Sequence, residues 1–217
     1  MKAKARIKGL YLITDEAVWG KRHLDIAAAA LEGGARILQL RDKTKTDAEL
    51  YPIALEMAAL CRRYDAVFIL DDRADLAVAC DADGVHVGKY DLPLVAARRV
   101  VGPEKIVGVS CYGNVEAAVR AAQEGADYVA VGAIYPTRTK EAAVTGLGII
   151  REVKARVDVP VVAIGGIEAD NLAEVMGAGA DSASLVAGVA AAQDMVAATR
   201  ELLAILEGTQ PRPSISA

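Results

Sequence analysis

The chain has 217 residues, 53% of them hydrophobic and 25% charged, a balance that excludes a disordered polymer and allows one sizeable core. Its formal net charge of -4 supplies no general attraction to nucleic acid or anionic lipid, so any phosphate recognition has to be local. No window reaches the roughly 20 apolar residues that cross a bilayer, and the three scattered cysteines, Cys61, Cys80 and Cys111, fit packed thiols in a reducing compartment better than a disulfide, metal or redox motif.

The opening stretch MKAKARIKGLYLITD is basic and then apolar, but an acid interrupts it short of signal-peptide length. A cytoplasmic protein is therefore expected, with small-molecule ligands and no nucleic-acid or membrane partner; nothing in the sequence sets an oligomeric state. Short β-branched runs then alternate with helical patterns. Strands are predicted at Leu10–Thr14, Ile37–Arg41, Val67–Asp71, Gly84–Val87, Ile106–Ser110, Tyr128–Gly132, Val161–Gly165 and Ser182–Val186. Between and after them the patterns LDIAAAALEGG, DAELYPIALEMAALCRRY, ADLAVACD, LPLVAARRV, NVEAAVRAAQEG, LGIIREVKARV, DNLAEVMGAG and AAAQDMVAATRELLAILEG predict helices. In NVEAAVRAAQEG, Asn114 caps the start, Gly125 closes the end, and Val115, Ala118 and Ala122 share a face.

Eight strands each followed by a helix predict an α/β fold, a (β/α)8 TIM barrel. GGARILQL, DADGVHVG, GADYVAVG and GADSASLV precede every second strand, the even spacing of a closed alternating architecture. An open doubly wound sheet would carry a glycine-rich loop after its first strand, where this chain has TDEAVWG. One domain is predicted over residues 1–208, with TQPRPSISA, residues 209–217, as a mobile tail.

Barrel chemistry sits at the C-terminal ends of the strands, where this sequence concentrates QLRDK, LDDR, VGKYD, VSCYG, IYPTRTK, IGGI and LVAG. Gln39, Arg41 and Lys43 alternate at a spacing of two, which in extended backbone turns all three to one side. Arginine grips phosphate oxygens in a fork and lysine adds a mobile charge; the plain alternative is a solvated rim neutralised by Asp42 and Lys45. Asp72 and Asp91 follow adjacent strands, and magnesium takes one or two carboxylates with phosphate oxygens and water. Either acid alone equally fits a helix cap. The IGGI turn lets amides approach an anion, or simply punctuates a loop. Thr137 and Thr139 can donate to a monophosphate on that side, and Lys140 can reach a pyrophosphate on the acidic side.

Across nearly the whole barrel, LYLITD, QLRDK, DADGVHVG with DLP, GVS, GADYVAVGAIYPTRTK, VVAIGGI and GAD resemble the thiamine phosphate synthase family. The resemblance implies a magnesium-dependent transferase that joins a hydroxymethylpyrimidine pyrophosphate to a thiazole phosphate. It implies Gln39, Arg41, Lys43, Ser110 and Lys140 at the pyrimidine pyrophosphate, with Arg41, Lys43, Ser110 and Lys140 catalytic, and Asp72 and Asp91 on Mg2+. Thr137, Thr139, Gly166 and the backbone near Val186 and Ala187 would hold the thiazole phosphate. Several positions depart from the family pattern. Asp71 replaces asparagine and sets a second anion beside the pyrophosphate, for which Lys89, replacing glutamine, is expected to compensate in part. Tyr112 and Gly113 replace a His-Thr pair, Ser182 replaces glycine, and Ala187 replaces a serine that donates to the thiazole phosphate. A thiazole tautomerase-like isomerase and a non-catalytic phosphate-binding barrel are the alternatives.

Overall fold

Parallel strands can satisfy both edges of a sheet by closing it, and the computed structural model, which describes residues 6–137 and 143–209, closes eight of them in chain order. They are β1 (Gly9–Thr14), β2 (Ile37–Leu40), β3 (Val67–Asp71), β4 (Gly84–Val87), β5 (Ile106–Tyr112), β6 (Tyr128–Val131), β7 (Val161–Ile164) and β8 (Ser182–Leu185). The helices are α1 (Glu16–Trp19), α2 (His23–Gly33), α3 (Asp47–Arg63), α4 (Ala74–Ala79), α5 (Leu94–Val101), α6 (Val115–Gln123), α7 (Gly148–Lys154), α8 (Leu172–Gly177), α9 (Ala187–Ala190) and α10 (Met195–Thr209). Among the described residues no helix is long and apolar enough to cross a membrane.

Alternation along each strand divides the apolar residues between two cores. Tyr11, Ile13, Ile37, Val67, Ile69, Ile106, Tyr128 and Val162 pack with one another inside the barrel. Their neighbours Leu10, Leu12, Leu38, Leu40, Phe68 and Leu70 pack outward with the helices. The three thiols are buried; burial pushes those of Cys61 and Cys111 up to about 12, where a thiolate nucleophile is inaccessible at neutral pH.

The repeated small-residue turns have a specific job. The aspartate that ends each of three of them reaches back to the odd strand before it: Asp83 Oδ2 accepts from Phe68 N at 2.8 Å, Asp127 Oδ2 from Val107 N at 2.8 Å and Asp181 Oδ2 from Val161 N at 2.7 Å. In the first turn Arg36 takes the place of the acid, and its carbonyl accepts from Val67 N at 2.8 Å. These bonds lock adjacent strands at the closed end of the barrel, opposite the mouth.

Several boundaries differ from the sequence expectation. Strands β2, β6, β7 and β8 stop one residue early: Gly132 and Gly165 have φ of 156° and 100° and Val186 is in the helical region, while Arg41 N still donates to Thr14 O at 3.1 Å. Strand β5 instead runs on to Tyr112, with a bulge between Ser110 and Tyr112 and a φ of 54° at Tyr112. Asp15 creates the unforeseen α1 by accepting from Val18 N at 3.2 Å. The last predicted helix, expected from Ala190, starts at Met195 as α10, where Asp194 Oδ1 accepts from Ala197 N at 2.9 Å, and the short α9 precedes it. Thr209, expected in the tail, ends α10, and residues 210–217 lie outside the described residues.

Asp127 also pairs with Arg98, and its side chain is 7% exposed. Asp127→Ala should therefore lower unfolding free energy by about 1.5–3 kcal/mol, the range for a buried hydrogen bond to a charged group. Urea denaturation should show a lower midpoint at unchanged slope.

Candidate active site

The strand ends surround a mouth made of two adjoining cavities, of about 460 Å³ and 310 Å³. Arg41, Ser110, Tyr112, Ile13, Ala130, Ile164 and Ser184 line both. Gln39, Lys43, Asp71, Asp72 and Asp91 line the smaller one; Thr137, Gly166, Val186 and Ala187 line the larger. Thr139 and Lys140 lie outside the described residues.

On the acidic side, charges interleave. The Arg41 guanidinium bonds buried Asp15 through Nη1 and stands 3.7 Å from Asp71 Oδ2 through Nε. Lys43 Nζ bonds Asp72 and lies 3.1 Å from Asp71 Oδ2. The extra negative charge of Asp71 is thus met by Lys43 and Arg41, while the Lys89 ammonium sits 5.3 Å above the Tyr90 ring. Asp42 and Lys45 form a separate cluster. Asp42 Oδ2 accepts from His23 Nε2 at 2.9 Å and from Lys45 Nζ at 3.1 Å, and Lys45 also bonds Glu16. Glu16, His23 and Asp42 come close enough to bind a metal ion, but the Lys45 ammonium already bridges the two carboxylates.

Neither candidate metal acid serves as a cap. Helix α4 begins after Arg73 and α5 after Pro93, and neither start has a side-chain cap bond. Asp91 Oδ2 accepts instead from Gly88 N at 2.7 Å, which anchors its loop. Asp72 has a φ of 61° and donates its N–H to His86 O at 2.8 Å, a left-handed conformation of the kind that gathers at functional sites. Burial first, then the charge of Asp71, pushes the Asp72 carboxyl up to about 6, with a hydrogen bond to Asp91 acting the same way and Lys43 opposing. Burial raises Asp71 as well, against the pull of Lys43 and Arg41. Crowded acids of this kind, open to a cavity, suit a divalent cation.

Beneath the charges runs a buried hydrogen-bond chain. Gln39 Nε2 donates to Tyr11 Oη at 3.1 Å, Tyr11 Oη meets Tyr128 Oη at 2.9 Å, Tyr128 Oη meets His86 Nδ1 at 2.9 Å, and His86 Nε2 meets Ser110 Oγ at 2.8 Å. A hydroxyl oxygen has two acceptor lone pairs, so Tyr11 can accept from Gln39 and still either give to or accept from Tyr128, and the chain beyond Tyr11 is compatible with either direction. The His86 ring bridges Tyr128 and Ser110 through its two nitrogens and so ties the mouth hydroxyl of Ser110 to the buried phenols. Burial raises both tyrosines far above their ordinary range, so the phenols stay protonated. Gly108 makes the arrangement possible: a Cβ there would lie 2.0 Å from the Tyr128 ring. Tyr11, Tyr128 and His86 escape a motif search because each sits singly in a strand. The signal they left was a polar side chain at an interior position of the two-residue alternation.

Across the mouth, Gly166 has a φ of 66°, and a Cβ on it would lie 2.4 Å from Pro136 O. The IGGI turn is therefore close-packed against the loop after β6, and Asn171 ties it down by donating to Gly166 O at 3.0 Å. The N-terminus of the short helix α9 opens beside it at Val186 and Ala187. Extra short helices after the last strands are a recurrent phosphate-binding element of barrels. Two buried polar atoms around this mouth, Trp19 Nε1 and Ser184 Oγ, have no hydrogen-bond partner among the described residues.

A family model described as Thiamine monophosphate synthase matches residues 10–189. The chain is 49% identical to a thiamine-phosphate synthase of Methanospirillum hungatei over 196 residues, covering 89% of this chain and 95% of the relative. It is 46% identical to the one from Methanocella arvoryzae over 201 residues, covering 91% and 94%. A solved thiamine phosphate pyrophosphorylase from Pyrococcus furiosus superposes with a TM-score of 0.88 at 40% identity, covering 96% of this chain and 99% of that one.

The raised carboxyl of Asp72 has a thermodynamic consequence. An acid with a raised folded pKa holds its proton in the folded state while the unfolded chain has lost it, so stability falls as pH rises from about 4 through about 6. Asp72→Asn removes that loss. Thermal unfolding of the metal-free variant at pH 8 should give a Tm no lower than that of the parent protein, with the difference narrowing at pH 5.

Proposed function

The chain belongs to the thiamine monophosphate synthase family, and from that membership we propose that it is the transferase that joins 4-amino-2-methyl-5-hydroxymethylpyrimidine pyrophosphate to a thiazole phosphate. The observation that carries this reading furthest is the double mouth: an acid- and cation-lined cavity and a glycine-lined cavity share Arg41 and Ser110 as a common wall. Two phosphorylated substrates can sit side by side there with their rings meeting at the wall.

Asp72 and Asp91 would hold Mg2+, whose role when bound is to neutralise charge developing on the departing pyrophosphate. Arg41 and Lys43 do the same from the protein side, and each is already poised on acids that fix its direction. Preorganised cations of this kind need no rearrangement as the charge appears. Ser110 offers its hydroxyl to the pyrimidine substrate, its side chain held in place by His86. The bond between the pyrimidine methylene and the pyrophosphate oxygen breaks with its electron pair leaving on oxygen. The aminopyrimidine spreads the resulting positive charge until the thiazole nitrogen supplies its lone pair to the methylene carbon. No proton has to move in either step, consistent with a mouth whose one histidine is committed to orienting a serine.

On the other side, Thr137, the turn at Gly166 and the first amides of α9 would receive the thiazole phosphate. Ala187 offers no side-chain donor, so the backbone and Thr137 carry that recognition, with Thr139 and Lys140 proposed to complete the two subsites. Small-molecule substrates and Mg2+ are the implied ligands, in a cytoplasmic setting.

Given both substrates and Mg2+, the protein should release pyrophosphate and form thiamine phosphate, and a chelator should reduce turnover to background. Asp91→Asn should lower kcat at least about 100-fold, roughly 2.7 kcal/mol of barrier, in a protein whose circular dichroism is unchanged. Turnover that survives both the chelator and the substitution would remove the metal role; tautomerisation of a thiazole without coupling would replace the transferase reading.

A further inference from the structure

Ser184 stands out among the buried hydroxyls. Thr14 bonds Gln39 O, Ser182 bonds Gly9 O at 2.8 Å and Thr199 bonds Met195 O at 2.8 Å, whereas Ser184 Oγ has no hydrogen-bond partner among the described residues, in a side chain 3% exposed. Burying a hydroxyl without a partner is unfavourable, and a native protein that keeps one usually has a use for it.

Its place in the barrel says which use. Alternation along β8 sends Ala183 and Leu185 outward into the helix-facing core and leaves Ser184 inward. Its register partners are Tyr11 on β1 and Ile164 on β7, and it lines both cavities. Around it the shared wall sets the apolar Ile13, Ala130 and Ile164 beside the polar Arg41, Ser110 and Tyr112, a surface that offers a flat ring both an apolar face and polar partners at its edge. A serine hydroxyl turns about a single bond, and here no hydrogen bond holds it back.

We propose that Ser184 is a substrate-contacting residue that hydrogen-bonds the polar edge of the aminopyrimidine at the junction of the two cavities. This rests on the transferase reading given above. The choice of ring follows from its chemistry. The thiazole has one ring nitrogen, whose lone pair is the nucleophile and would be weakened by a hydrogen bond. The aminopyrimidine carries an amino donor and two ring nitrogens, more than Gln39 and Ser110 serve, and a hydroxyl can both give and accept.

The test compares two serines two positions apart on the same strand. Ser184→Ala should raise the Kd of pyrimidine pyrophosphate, measured by calorimetry, and its KM by about tenfold, the worth of one hydrogen bond. The KM for thiazole phosphate should stay within about twofold and the Tm of the free protein should not fall, because the hydroxyl removed had no partner. Ser182→Ala, which loses a bond to Gly9 O and lines neither cavity, should do the reverse: a lower Tm with unchanged Kd. An unchanged Kd in Ser184→Ala, or a loss confined to thiazole phosphate, overturns the assignment. If the parent protein binds pyrimidine pyrophosphate without turning over, the transferase reading fails while the Kd comparison still decides Ser184; if it does not bind at all, both fail.

Discussion

The ammonium of Lys43, carried just past the end of β2, lies between the carboxylates of Asp71 and Asp72 at the end of β3. The charged mouth depends on that bridge. Two acids side by side in a partly buried site repel, and burial alone would drive protons onto both. Lys43 between them and Arg41 beside Asp71 offset part of that repulsion. The same interleaving accounts for the tolerance of Asp71, since its charge is answered from the neighbouring strand.

A second layer lies below the charges and is held by neutral hydrogen bonds. Gln39, Tyr11, Tyr128, His86 and Ser110 come from β2, β1, β6, β4 and β5, so one chain of hydroxyls, an amide and an imidazole ties five of the strands together. The layer is therefore both a packing element and the support that holds the Ser110 side chain at the mouth. Its stacked and edge-on rings, His86 on Tyr128 and Tyr128 on Tyr11, add rigidity beneath a mouth whose upper rim is made of loops.

The closed end of the barrel follows a different rule. There, Asp83, Asp127 and Asp181 bind the amides of the preceding strand, and two of the three also hold a cation, Arg98 or Lys154. Acids at one end of the strands thus serve strand locking, and acids at the other gather around an open cavity. Barrels commonly divide stability and chemistry between their two faces in this way.

Much of this was legible in the one-dimensional chain. Alternating β-branched runs and capped helical patterns dictate a parallel barrel, and the two-residue spacing of Gln39, Arg41 and Lys43 dictates that they share a side, because a strand repeats every two residues. The QLRDK and YPTRTK strings carry the family. What the chain could not show is anything that depends on which strand becomes whose neighbour across the interior. The partnership of Asp15 with Arg41, the relay from Gln39 to Ser110, the choice of Lys43 over Lys89 to answer Asp71, and the orphaned hydroxyl of Ser184 all join residues far apart in sequence. Hydrogen bonds and ion pairs act over about 3 Å, and only closure of the barrel brings those atoms within that reach.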